Sequence, residues 1–131
     1  MPAEAVDVIL RDGGTLRLRA PGEADADEVV AFFERLSERS LYLRFHGARR
    51  VDARLAEPFL DPDWSERGSL VGTLGERIVA LASYARLRDP STAEIAFVVA
   101  DSEQGRGIGT RLLEQLAGRA GEAGIDGSWP T

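Results

Sequence analysis

Seven residues, Gln104-Gly105-Arg106-Gly107-Ile108-Gly109-Thr110, constrain the fold more than any other stretch of the chain. They lie between the apolar run Ile95 to Val99 and a segment in which Leu112, Leu113, Leu116, Ala117 and Ala120 trace one side of a helix. The order is strand, glycine loop, helix. Glycines at alternate positions let the backbone pass close to a bulky ligand, and the first amides of the helix that follows are unpaired and carry partial positive charge. Such a junction suits a phosphate. A Gly-rich turn that merely joins strand to helix is the alternative reading.

The preceding chain supplies a scaffold. Val6 to Leu10 and Thr15 to Arg19 read as two short strands around the turn Arg11-Asp12-Gly13-Gly14, with Leu16 and Leu18 facing the core. Pro21 and Gly22 stop the second strand. Glu23, Asp25, Asp27 and Glu28 then favour a first helical turn, and Ala26, Val29, Phe33 and Leu36 share one helical face. Ser37 and Ser40 are positioned to cap a second short helix carrying Leu41, Tyr42, Leu43 and Phe45, and Asp52 to Leu60 reads as another, closed by Asp61-Pro62-Asp63. From Ser69 the period changes to that of strands: Ser69 to Leu74 and Ile78 to Leu87 form a hairpin about Gly75-Glu76, and Thr92 to Val99 is a further strand after Asp89-Pro90-Ser91. In that strand Ile95, Phe97 and Val99 alternate with Glu94, Ala96 and Val98, and its apolar end predicts a central position.

At 131 residues the chain is read as one domain, 1–131, with its loop and helix core at 92–124. A net charge of -6 disfavours nucleic acid and anionic membranes, which need a basic field, and suits amines or basic peptides. With no cysteine and a single histidine, His46, thiolate chemistry and multi-histidine metal sites are excluded, so no metal is expected. No signal pattern and no membrane-length apolar run is present, and a cytoplasmic protein is expected.

The loop fits neither common nucleotide motif. A dinucleotide fingerprint spaces its third glycine one residue later, in a first βαβ unit, and a triphosphate loop needs Gly-Lys-Ser/Thr. The Gln-x-x-Gly-x-Gly order instead resembles the acyl-CoA pyrophosphate loop of the GNAT superfamily of N-acyltransferases. The resemblance runs from about Thr15 to Ile125. It rests on Thr15-Leu16-Arg17-Leu18-Arg19, on the Ser37 to Phe45 run with Ser40, Tyr42 and Arg44-Phe45, and on Ala93-Glu94-Ile95-Ala96-Phe97-Val98-Val99 leading into the loop. The combination looks like the bacterial protein-lysine acetyltransferases of the Pat type.

The resemblance implies an α/β (α+β) fold with a mixed, mainly antiparallel sheet flanked by helices, and acetyl-CoA as cosubstrate. It implies that Gln104, Gly105, Arg106, Gly107, Ile108, Gly109 and Thr110 hold the CoA pyrophosphate, with Arg106 adding charge, and that the edge at Val98 and Val99 pairs with the pantetheine arm. A lysine amine is protonated at neutral pH, so a carboxylate that removes its proton is useful, and the position of Glu94 resembles that of the proposed general base in the Pat type. A solvated strand-end glutamate is the other reading of Glu94. His46 reads as a surface residue, and Tyr42 and Phe45 as core anchors.

Members of the superfamily continue past the loop helix with a splayed strand, a helix and a hairpin, so the resemblance implies a C-terminally truncated domain lacking that portion. Gly127-Ser128-Trp129-Pro130-Thr131 shows no strand pattern, and only Ile125-Asp126 is expected to begin one. Many members use a tyrosine beyond the loop helix to protonate the CoA thiolate; here the tyrosines are Tyr42 and Tyr84, both upstream. Three functions stay open: acetyl transfer from acetyl-CoA to an amine such as a protein lysine, a non-catalytic CoA-binding or dimerisation module, and an inactive fragment. An uncovered central strand edge would favour a homodimer.

Overall fold

The alternating and helical patterns become, in the computed structural model, β1 (Val6–Ile9), β2 (Thr15–Arg19), α1 (Ala26–Arg35), β3 (Arg67–Leu74), β4 (Arg77–Arg86), β5 (Thr92–Val99), α2 (Ile108–Glu122) and β6 (Gly127–Pro130). The structure describes residues 5–36 and 56–125, and the backbone of 127–130. The run from Ser37 to Phe45 with His46, and most of the helix expected from Asp52, lie outside the described residues; within them Glu57–Phe59 is a single 3-10 turn.

The strands form one sheet in the order β1-β2-β3-β4-β5-β6, antiparallel throughout except that β6 runs parallel to β5. Short turns join β1 to β2, β3 to β4 and β4 to β5, whereas residues 20–66, which include α1, separate β2 from β3. At the β3–β4 turn Gly75 adopts φ +64°, open to it because it lacks a Cβ. The parallel step needs a crossover, and α2 supplies it.

Residues opposite one another in a sheet share a face. Leu70, Ala82 and Phe97 therefore lie on one side with Gly72, Ala80 and Val99, and α2 covers that side, since a Cβ on its Gly109 would meet Phe97 and Val99. The other side carries Ser69, Val71, Leu81, Val98, Ala96 and Glu94. It is covered by α1 and the Glu57–Phe59 turn: the Ser69 hydroxyl donates to the Phe59 carbonyl, and the Phe33 ring meets Phe59 edge-on at 6.0 Å. Of the residues expected on the inner face of α1, Val29, Phe33 and Leu36 are buried and Ala26 is half-buried, with Phe32 buried beside them. Arg19 donates two hydrogen bonds of 2.8 Å to Asp25, whose carboxylate also accepts the Gly22 N–H. That pair joins the end of β2 to the start of the helical segment. The α2 stripe is narrower than predicted: Ile108, Leu112, Leu116 and Ala120 are buried, whereas Leu113 is half-buried and Ala117 is exposed.

One expectation needs correction. The Gly127–Pro130 stretch is a strand, pairing in register from Thr92↔Gly127 to Ile95↔Pro130. Its composition lacks a strand signal, but β5 offers an edge that completes its ladder, so pairing overrides propensity. As a result β5 is inner only over its first half. Among the described residues, Ala96–Val99 has β4 on one side and no strand on the other. Tyr84, upstream of the loop helix, is buried and donates its hydroxyl to the Trp64 carbonyl at 2.7 Å, beneath a Trp64 ring 6.2 Å away. Burial raises its pKa, and the side chain serves the core.

Candidate functional site

The loop lies where β5 loses its second neighbour. Asp101–Glu103 forms a 3-10 turn after the strand, and the chain then passes through two left-handed glycines, Gly105 at φ +85° and Gly107 at φ +82°, the latter capping α2. These conformations re-aim the backbone so that α2 starts directly beside β5. Gly109 allows the close approach, because a Cβ there would sit 2.9 Å from the Phe97 ring. No side chain caps the first turn of α2, so its leading amides remain available to an anion.

The open half of β5 can be resolved by residue. Ala100 N–H donates to Val79 O at 2.8 Å, and Val99 lies opposite Ala80. Bonded and non-bonded pairs alternate in an antiparallel ladder, so Ala96 and Val98 direct their backbone groups to β4, whereas Phe97 and Val99 direct theirs to the open edge. Gln104 Nε2 donates to Val99 O at 3.2 Å. The side chain of Gln104 therefore ties the loop to the strand. Phe97 is 47% exposed at this edge, a large apolar surface that strand alternation alone would place in the core.

Arg106 is held on both sides. Its Nε donates to Asp12 at 2.7 Å and its Nη1 to Glu103 at 2.6 Å. Asp12 uses its other oxygen to accept the Gly14 N–H at 3.0 Å. The Arg106 hydrogen bond, then the Gly14 amide, lowers the Asp12 pKa to about 2, and the same two carboxylates raise that of Arg106. The loop is thereby tethered to the β1–β2 turn, 94 residues away in sequence.

Around this tether lies a cavity of about 380 Å³ lined by Ile9, Leu10, Arg11, Arg106, Gly107, Thr110 and Arg111. Arg11 and Arg111 were not among the residues singled out by sequence. Arg111 adjoins the loop motif, but Arg11 carries no local signal. Glu94 is exposed and lies opposite Ala85 of β4 and Trp129 of β6. It is four residues before Val98, about 13 Å along the strand, so it stands apart from the phosphate end of the site. Loop, Val98 and Val99 are thus brought together, and Glu94 occupies the far end of the same strand. Among the described residues no group of His, Cys, Asp and Glu could hold a metal ion, and no helix is long and apolar enough to cross a membrane.

Comparisons with known proteins match this geometry. The sequence profile of the Acetyltransferase (GNAT) family matches residues 37–129. The chain superposes on the crystal structure of the GNAT domain of S. lividans PAT with a TM-score of 0.87 and 38% identity, covering 92% of this chain and 74% of that one. It is 32% identical over 124 residues to the acetyltransferase Pat of Mycolicibacterium smegmatis, covering 92% of this chain and 37% of the relative. An acetyltransferase of Pseudomonas aeruginosa is 28% identical over 112 residues, covering 82% of this chain and 60% of its own length. The chain thus spans less than two thirds of either of these two relatives.

Proposed function

The chain belongs to the acetyltransferase (GNAT) family, and from that premise we propose that it transfers acetyl from acetyl-CoA to an amine, with a protein lysine as the acceptor. The observation that carries this reading is the alignment of three parts along β5: a helix start able to hold phosphates, a strand edge with no neighbouring strand among the described residues, and a carboxylate further back on the strand. An extended acyl carrier anchored by its phosphates on Gln104–Thr110 would run along the backbone groups of Phe97 and Val99 toward Glu94. Val98 and Val99 form the wall of this channel. The carrier supplies an activated thioester.

In this scheme Glu94 takes the proton from the ammonium of the acceptor, leaving a nitrogen lone pair that forms the C–N bond as the C–S bond breaks. A backbone N–H on the open edge, that of Val99, polarises the carbonyl. The second proton that the nitrogen loses as the amide forms passes through water to the departing thiolate, since Tyr84 is committed to Trp64. The likeness to proteins named Pat supports a protein lysine as acceptor.

The test is Glu94→Gln. Thiol release with an amine acceptor should fall about 100-fold or more, within the range general bases contribute, while calorimetry still shows acetyl-CoA binding. An unchanged rate across the pH range refutes the base assignment. Binding without thiol release in the parent chain points to a CoA-binding module instead.

A further inference from the structure

The cavity beside the loop gathers three guanidinium groups in a chain whose net charge is -6. They are not equivalent. Arg106 is committed to Asp12 and Glu103. Arg111 pairs loosely with Glu114 at 3.6 Å, and both side chains are about half exposed. Arg11 makes no hydrogen bond or ion pair among the described residues, yet its Nη2 lies 3.7 Å from where a Cβ on Gly107 would stand. Among the described residues no carboxylate lines the cavity. Two like charges from distant elements that face one space, without a counter-charge in it, are best reconciled by an anion between them. The remaining wall is apolar: Ile9 is 63% exposed there, next to Leu10. A phosphate joined to a flat, weakly polar body, as in a nucleotide, matches both properties.

We propose that Arg11 and Arg111 form a second anion subsite, distinct from the loop amides, that takes the ribose phosphate of the acyl carrier while Ile9 underlies its base. The inference rests on the acyl-CoA reading above, and it assigns to the β1–β2 turn a role in choosing the carrier. Arginine suits the task because its planar fork grips phosphate oxygens in pairs.

The experiment compares CoA with 3′-dephospho-CoA, which lacks only that phosphate, by calorimetry on the full chain and on Arg11→Ala, Arg111→Ala and the double variant. Both arginines are exposed, and circular dichroism and thermal midpoints check that the variants fold. The parent chain should prefer CoA by about tenfold or more, the factor a charge-assisted hydrogen bond supplies. Each single substitution should shrink that ratio, and the double variant should bring it to about one. Equal affinities in the parent chain, or a preference that survives the double substitution, overturns the subsite and leaves the acyl-CoA reading standing. Failure of both ligands to bind the parent chain overturns the two together.

Discussion

The two ends of α2 are held by different forces. Toward its C-terminus Leu116 and Ala120 are buried on the sheet, and the Arg119 guanidinium lies 5.3 Å above the Trp64 ring. At its N-terminus the buried Ile108 is joined by polar contacts: one side-chain hydrogen bond from Gln104 in the glycine loop, and the ion pairs of Arg106 with Asp12 and Glu103. Apolar burial excludes water and carries most of the stability. Ion pairs that keep contact with water are partly screened and add less to folding, but they set where a loop sits. One end therefore anchors the helix, and the other aims it.

The largest expected effect lies at the anchored end. Leu116→Ala should lower stability by about 2–5 kcal/mol, the range for a fully buried leucine, read from the urea midpoint. A loss well below that range would show that α2 is not an anchor of the core. Next in size is Gly107→Ala. Holding a Cβ at φ +82° should cost about 1–2 kcal/mol, and it should weaken acetyl-CoA binding more than Leu116→Ala does, a contrast that titration calorimetry can read. Equal effects of both variants on affinity would remove the distinction between the two ends.

Smaller effects are expected from the charges. Asp12→Asn should leave the urea midpoint near that of the parent chain while changing the affinity for acetyl-CoA, and the change should fade as salt is raised. A large stability loss from this substitution would break the division drawn above. The smallest effect is a titration. The folded pKa of Asp12 lies below its ordinary value of 3.8, at about 2. The tether is therefore fully present above pH 4 and is lost as pH falls through about 2, because only there does the folded carboxylate take up a proton. Carboxyl carbon shifts in nuclear magnetic resonance should place the inflection near 2; one near 3.8 means that the Arg106 contact does not form in solution.

Local features were legible before the structure. The hairpins about Gly13 and Gly75 followed from turn chemistry, α1 and α2 from helical spacing, and the loop from its glycines. Glu94 was placed on the correct strand and face, since it shares the side of Ala96 and Val98. What escaped was non-local. β6 lacks a strand composition and forms because β5 presents it an edge. Arg11 and Asp12 read as a turn, and nothing nearby announces that this turn meets Arg106. Alternation assigns Phe97 a face without saying what covers it, and in the structure it is exposed.

The sequence by itself determined the succession of elements up to α2, the glycine loop ahead of that helix, and the family, because each depends on residues close together in the chain. Only the tertiary structure decided which half of β5 is open, which of its amides face outward, and which arginine at the cavity has no partner among the described residues once Asp12 and Glu103 have taken Arg106. These properties depend on charges and edges brought together across the whole length of the chain, where spacing along the sequence carries no information.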